Sequence, residues 1–241
     1  MSPHPARTAS NSEAEPSATA AAPDIDTTYA LPARYTSLSG MSQLAIKRLI
    51  DVVGAGIGLI LLAPLFLLIA LLIIVDSGLP AFFQWNVVGR RGRYFTSRKF
   101  RTMVRDAEAR QVEYTKDNEM SGPVFKMRRD PRVTRVGRIL RRYSLDELPQ
   151  LWSVLKGDMS LVGPRPLRQH EFEVLTPAQR ARFAVTPGLT CLWQVSGRSD
   201  IRDFEEWLRL DREYIASWSL WLDVRILVRT VWVVARGEGA Y

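Results

Sequence analysis

Two adjacent carboxylates, Asp146 and Glu147, lie in the run Tyr143-Ser144-Leu145-Asp146-Glu147-Leu148-Pro149-Gln150, directly behind Arg141 and Arg142. An ionised carboxylate can attack phosphorus or hold a divalent cation, and neighbouring cations can bind the phosphates that such chemistry requires. The same residues have a structural reading. Ser144-Leu145-Asp146-Glu147 matches a helix capping box, with Ser144 as N-cap and Glu147 three positions on, and from spacing alone this is the stronger reading. Pro149 counts against its simplest form, because it falls where an intrahelical donor is needed, so the helix is expected to start nearer Asp146. In either case the pair is expected at a helix N-terminus, whose free donors stabilise the ionised carboxylates and attract a phosphate.

Other residues that could share this chemistry are scattered. Arg165 stands between Pro164 and Pro166, which preset its backbone so that the guanidinium could grip phosphate in bidentate fashion; the plain alternative is a structural turn. Gln194 and Arg198 follow Pro187-Gly188 on a Gly/Ser-containing loop suited to reading uridine or phosphate. Asp158 after Gly157 reads as a turn, and His170 as structural. With one cysteine, Cys191, and two histidines, His4 and His170, the chain cannot form an internal disulfide or a cysteine metal cluster. Serine-histidine hydrolysis and histidine-rich zinc chemistry are poor fits as well. No glycine-rich dinucleotide or P-loop motif is present.

The elements that must position these groups are legible from composition. The 241 residues carry a formal net charge of +8, concentrated between Ser77 and Leu145, where seventeen Lys and Arg face six Asp and Glu. Such a segment calls for an anionic partner: nucleotide phosphates, lipid headgroups or nucleic acid. Residues 1–43, rich in Ala, Ser, Thr and Pro, are expected to form a disordered leader. Val52 to Val75 is a charge-free run of 24 residues, long enough to span a bilayer as one helix. Pro64 near its centre and basic residues on both flanks favour instead a hairpin over 44–76 that dips in and returns. Gly54 and Gly58 would admit another helix or a second copy of the chain, so a homodimer is compatible with the sequence; simple helix flexibility explains them equally well.

Residues 77–241 are expected to form one catalytic unit. Gln84 to Met103 alternates loosely around Gly89 and Gly92, which predicts a short β-hairpin ending near Lys99 and Arg101. Arg132, Arg135, Arg138 and Arg142 recur at helical spacing opposite Val133, Val136, Leu140 and Tyr143, which predicts a basic amphipathic helix with some arginines turned to substrate. Phe204, Trp207, Leu208, Tyr214, Ile215 and Trp218 form one apolar stripe. Val224 to Val234 forms another, with Arg225 and Arg229 expected opposite it. The fold class is therefore mainly α with a small β element, embedded in one leaflet of a membrane through the re-entrant hairpin and amphipathic interfacial helices.

From about Lys47 onward the chain resembles the bacterial sugar transferases, the monotopic polyprenyl-phosphate hexose-1-phosphate transferases. The likeness rests on Tyr143 to Pro166 together with Lys99-Phe100-Arg101-Thr102-Met103, Gly163-Pro164-Arg165-Pro166, Pro187-Gly188-Leu189-Thr190 and Trp193-Gln194-Val195-Ser196-Gly197-Arg198. The resemblance implies that Asp146 attacks the β-phosphate of a UDP-sugar, releasing UMP and leaving a sugar-phosphoryl aspartate, and that undecaprenyl phosphate then takes the sugar phosphate. It implies Glu147 as ligand of a Mg²⁺ ion, Lys99 as the cation that steadies the phosphates or the Asp-Glu pair, and Arg142, Arg165, Gln194 and Arg198 as substrate-binding residues. It implies the cytoplasmic face of a bacterial inner membrane, contact with anionic lipids, and the small form of the family. The tail Gly237 to Tyr241 is similar to the exopolysaccharide branch that uses galactose or glucose. A UDP-N-acetylated sugar is an alternative donor. A non-catalytic membrane adaptor for glycan assembly is the rival from another class. A nucleic-acid partner is opposed by the hairpin and the tryptophan-rich helices.

Overall fold

The structure is a computed structural model and describes residues 28–197 and 200–237. Ser37 caps the first long helix, α1 (Leu38–Leu61), by accepting from the Gly40 N–H at 3.1 Å. Leu62 then breaks the chain, and α2 (Ala63–Ser77) leaves at 59°. Pro64 lies in the first turn of α2, where its missing N–H would have had no helical partner. It therefore sits at the start of a second helix instead of kinking one long one. No single helix among the described residues is long and apolar enough to cross a membrane.

Both arms of the pair lie against the rest of the molecule. Gly54 and Gly58 face Leu161 and Leu151 of the same chain, so close that a Cβ would meet them at 3.0 and 3.1 Å. These glycines serve an intramolecular contact. The charged residues near the start of α1 are also satisfied within the protein: Lys47 Nζ pairs with Asp223 at 2.6 Å, Arg48 donates to the Val154 and Leu155 carbonyls, and Asp51 accepts from Ser160 and the Leu161 N–H. On α2, Ile69 and Ile73 pack with Phe100 and Leu140.

The β-hairpin forms where alternation predicts it, as β1 (Phe82–Val88) and β2 (Tyr94–Phe100), with Phe83 opposite Lys99 and Val88 opposite Tyr94. Its turn uses left-handed Arg91 and Gly92. The predicted basic helix is α3 (Arg135–Arg142), capped by Thr134. At Gly137 it comes so near the segment that follows β2 that a Cβ would lie 2.1 Å from the Thr102 carbonyl oxygen. A 3-10 turn, Leu145–Gln150, leads into α4 (Leu151–Lys156). β3 (Ser160–Val162), β4 (Leu167–Arg168) and β5 (Gly188–Thr190) are short: β4 adds a third strand beside β1, and β3 pairs in parallel with β5. Helices α5 (Leu192–Val195), α6 (Phe204–Ser217) and α7 (Leu220–Arg236) complete the chain.

Three sequence-based expectations change. The leader was expected to reach residue 43, yet the helix Ala33–Thr36 and the start of α1 lie inside it. Tyr35 is buried there, stacked on Trp218 at 4.9 Å between centroids. One long-range aromatic contact orders a segment whose composition shows no periodic signal; residues 1–27 lie outside the described residues. The stripe from Phe204 to Trp218 is core, as are Trp193 and Trp207. Along α7 the outward strip is Trp221, Val224, Val228, Val231 and Trp232, and the exposed Arg225 and Arg229 flank it instead of opposing it. The face buried against the domain carries Asp223 and Ile226.

Candidate active site

Alternation along β2 puts Ser97 and Lys99 on the face that meets the 3-10 turn and α4. Ser97 Oγ lies 3.2 Å from Ser153 Oγ, and Lys99 Nζ donates to Glu147 Oε1 at 3.1 Å. The Lys99 ammonium also rests 4.0 Å from the centre of the Trp85 ring on β1. From the other side, Arg165 grips the same carboxylate with both ends of its guanidinium, Nη2 to Oε1 at 2.7 Å and Nη1 to Oε2 at 3.1 Å. The proline-flanked arginine is thus bidentate, but towards a protein carboxylate.

The backbone that carries the carboxylates differs from a capped helix. Ser144 adopts φ 51°, ψ 21°, a left-handed conformation that costs a residue with a Cβ on the order of 1 to 2 kcal/mol, and its side chain caps nothing. This sharp reversal after α3 is followed by the 3-10 turn, which accommodates Pro149. Asp146 and Glu147 therefore stand on a tight connector between two helices, not at an α-helix N-terminus.

The two carboxylates have opposite surroundings. Glu147 is buried between Lys99 and Arg165. Among the described residues Asp146 makes no ion pair or side-chain hydrogen bond, and it faces a cavity of about 370 Å³. Burial and then the Glu147 charge push the Asp146 carboxyl above its usual range, although Lys99, Arg141 and Arg165 oppose the shift. The expected net stabilisation of ionised Asp146 is thus reversed by desolvation. Burial draws the Lys99 ammonium down to about 8, with Glu147 opposing it. Arg165 is held above its ordinary value because Glu147 outweighs its burial.

Further cations line the cavity. Arg141, Arg101, Arg105, Arg132, Arg168 and Lys126 all contribute to the wall, with Trp193 and Trp207. Arg141 Nε donates to Thr102 Oγ1 at 3.0 Å. Arg101 is tied to Ser77, Gly78 and Leu79, where α2 runs into the sheet, and Arg132 is locked to Asp130 at 2.7 Å.

Of the residues expected to form the site, Asp146, Glu147, Lys99 and Arg165 converge. Arg142 does not: it is exposed and packs beside Gly237, while Arg141, one position earlier, enters the cavity. Gln194 accepts from the buried Cys191 thiol at 3.3 Å and lies outside the cavity wall, where its neighbour Trp193 stands. Arg198 lies outside the described residues. His170, expected to be structural, lies at the cavity wall. The Arg141 side chain could have been found from sequence by rotating the helix pattern one residue; nothing local marks Trp193 or His170.

Among the described residues no group of three or more His, Cys, Asp and Glu side chains is arranged to hold a metal. The donor set on offer is the Asp146–Glu147 pair, in which both Glu147 oxygens already accept from Lys99 or Arg165. Such a pair suits a hard cation such as Mg²⁺, which takes one or two carboxylates and completes its shell with phosphate oxygens and water.

What the arrangement can do is hold a phosphate-bearing molecule against fixed cations and present to it a carboxylate that makes no ion pair or side-chain hydrogen bond among the described residues. Residues 42–237 match the description Bacterial sugar transferase. The chain is 46% identical over 199 residues to a galactosyl transferase, CpsE, of Streptococcus agalactiae, covering 83% of this chain and 44% of that protein. It is 43% identical over 202 residues to the UDP-glucose:undecaprenyl-phosphate glucose-1-phosphate transferase of Caulobacter vibrioides, covering 81% and 72%. It is 39% identical over 199 residues to the exopolysaccharide production protein ExoY of Rhizobium meliloti, covering 81% and 88%. The chain therefore belongs to the bacterial sugar transferase family, and it spans less than half the length of the first of these relatives.

Proposed function

We propose that this chain transfers hexose 1-phosphate, from UDP-galactose or UDP-glucose, to undecaprenyl phosphate at the cytoplasmic face of a bacterial inner membrane, starting exopolysaccharide or other surface glycan synthesis. The observation that carries the reading is the contrast, among the described residues, between Asp146, which makes no ion pair or side-chain hydrogen bond, and clamped Glu147 in a cation-lined cavity. An Oδ of Asp146 attacks the β-phosphorus, and the bond from that phosphorus to the oxygen bridging to the α-phosphorus breaks. UMP leaves with the bridging oxygen. A phosphate oxygen of the lipid then attacks the same phosphorus, the bond to Asp146 breaks, and the free carboxylate returns with a lipid diphosphosugar as product. Lys99, Arg165 and Arg141 hold the charge that develops on the phosphoryl group and leaving group. Mg²⁺ held by Glu147 would supply further charge neutralisation when bound.

The membrane arrangement belongs to the same proposal: residues 44–76 as a re-entrant hairpin and 77–241 as the catalytic unit on the same side. It is supported by the 59° break and by outward Leu49, Val53, Ile57, Ile60, Leu61, Leu67, Leu71 and Val75. It is supported too by exposed Arg135, Arg138 and Arg142 on α3, where anionic headgroups would lie. A donor bearing an N-acetyl group is the second reading, favoured by 38% identity over 200 residues to a UDP-N-acetylgalactosamine-undecaprenyl-phosphate N-acetylgalactosaminephosphotransferase of Aeromonas hydrophila.

The test is UMP release from each UDP-sugar by purified protein with Mg²⁺, with and without undecaprenyl phosphate, for wild type and Asp146→Asn. Turnover that requires the lipid, together with a phosphohexose adduct by intact mass that Asp146→Asn lacks, is the expected result. UMP release unchanged in the variant removes Asp146 as nucleophile. No release from galactose, glucose or N-acetylated donors leaves the membrane adaptor.

A further inference from the structure

Behind the Arg165 grip lies an ion pair whose residues are not part of the cavity wall. Arg182, in the turn Ala181–Ala184, meets Asp211 of α6 at 2.7 Å, and both side chains are 1% exposed. Removing two charges from water this completely is expensive, and such a pair commonly stabilises no better than apolar side chains of the same size. Its position suggests what it does instead. The Nη2 group of Arg182 also donates to the main-chain carbonyl of Arg165 at 2.7 Å. The segment Pro164-Arg165-Pro166 has a single backbone N–H, so it depends on its carbonyls for anchorage. The Pro164 carbonyl is taken by the Gly188 N–H at 2.9 Å, and the Arg165 carbonyl by Arg182. These two bonds set where the Arg165 side chain starts, and that side chain ends on Glu147 at 2.7 and 3.1 Å. The Arg182 guanidinium also lies over the Trp207 ring at 5.2 Å, and Trp207 belongs to the cavity wall.

We propose that Arg182 and Asp211 are positioning residues for the transfer reaction: Asp211 orients Arg182, Arg182 fixes the Arg165 backbone, and Arg165 aligns the Asp146–Glu147 pair. The inference rests on the transferase reading for its kinetic consequence, and on geometry alone for the alignment of Arg165.

The test replaces both charges at once, Arg182→Met with Asp211→Leu, so that a merely structural pair gives way to apolar packing. The expected result is an unchanged melting transition with kcat for UMP release lowered roughly 10- to 100-fold, the scale of an ångström-sized misplacement. In an Arg165→Lys background, whose residual rate is followed by single-turnover UMP release, the same double replacement is expected to cost little more. Wild-type kcat in the double variant overturns the proposal, and so does an equal loss with Arg165→Lys present. Asp211→Asn, nearly isosteric, serves if the double replacement does not fold. The second readout is the Nε–H resonance of Arg165 in arginine-labelled protein, identified by its disappearance in Arg165→Lys. A shift in either variant is expected, and an unmoved resonance overturns the proposal. That signal needs no turnover, so a protein in which Arg165 is held by Arg182 but no UDP-sugar reacts would sink the transferase reading alone.

Discussion

At the scale of single residues, neighbouring positions carry opposite burdens. Glu147 supports two half-buried cations, so Glu147→Gln strands both Lys99 and Arg165 and is expected to cost roughly 1 to 3 kcal/mol of stability. Asp146→Asn removes a carboxylate that burial already penalises, and the folded protein is expected to be as stable or more so. Denaturation of the two variants in detergent checks this; an Asp146→Asn loss as large as that of Glu147→Gln would show that Asp146 has a structural partner. Asp211 gives a pH prediction. Burial pushes its carboxyl up to about 6 from 3.8, with Arg182 and Arg212 opposing, and the buried Cys191 thiol shares its surroundings. The folded state thus holds a proton that the unfolded state has released. The stability this contributes is complete below about pH 4 and is lost as pH rises through about 6, a change of about 3 kcal/mol for two pKa units. Asp211→Asn should remove that slope, so the difference between wild-type and variant melting curves should change across this window. A constant difference would mean that Asp211 does not titrate there. Which residues could do chemistry was legible because Asp146, Glu147, Lys99 and Arg165 are polar groups in local motifs. That Asp146 would be free and Glu147 clamped was not, because the clamp joins positions 99, 147 and 165, which only the fold brings together.

At the scale of elements, the hairpin and the basic helix were readable from period and from glycine and proline positions. Their rotations and boundaries were not. One residue of helix turns a side chain by about 100°, so Arg141 enters the cavity while Arg142 faces away. The 3-10 turn and the left-handed Ser144 follow from closing α3 onto α4, which no local preference of a serine would announce. The strand β4 is too short for any alternation to show. The bend between α1 and α2 likewise has its cause in packing. Pro64 sits where it costs nothing, while α1 is held by Lys47, Arg48 and Asp51, and α2 by Ile69 and Ile73. Pro64→Leu is therefore expected to change stability by less than about 1 kcal/mol and, if the pair enters a bilayer as proposed, to keep both helix ends on one side of it. Gly58→Leu, which drives a larger side chain into Leu151, should cost about 1 to 3 kcal/mol. A cysteine placed before α1 and challenged with an impermeant thiol reagent in intact cells reads the topology. Labelling in Pro64→Leu but not in its parent would show that the proline, not the packing, sets the bend.

At the scale of the whole molecule, the tryptophans divide by exposure in a way their sequence positions do not reveal. Trp193, Trp207 and Trp218 are 3–6% exposed and belong to the core, whereas Trp152, Trp221 and Trp232 are 52–69% exposed. An exposed indole gains from an interface that receives its ring and leaves its N–H hydrated. Together with the outward residues of α1 and α2 and the strip along α7, the exposed three leave many large apolar side chains open to solvent, a feature that marks contact surfaces when such side chains are contiguous. If that surface is the membrane face, its tryptophans must touch acyl chains while the core three do not. Reconstitution into vesicles of brominated lipid, which quenches indole fluorescence at contact range, separates the two sets. Replacing Trp152, Trp221 and Trp232 together by Phe should remove most of the quenchable emission and leave the remaining fluorescence nearly insensitive to bromine depth. Trp218→Phe should lower total emission without altering the quenched part. Quenching that survives loss of Trp152, Trp221 and Trp232 would move the membrane face away from α7 and leave the α1–α2 hairpin as its sole contact. The hairpin could then tilt the cavity mouth with respect to the lipid, and the path of a lipid phosphate to Asp146 would have to be drawn from α2 and Arg101 instead.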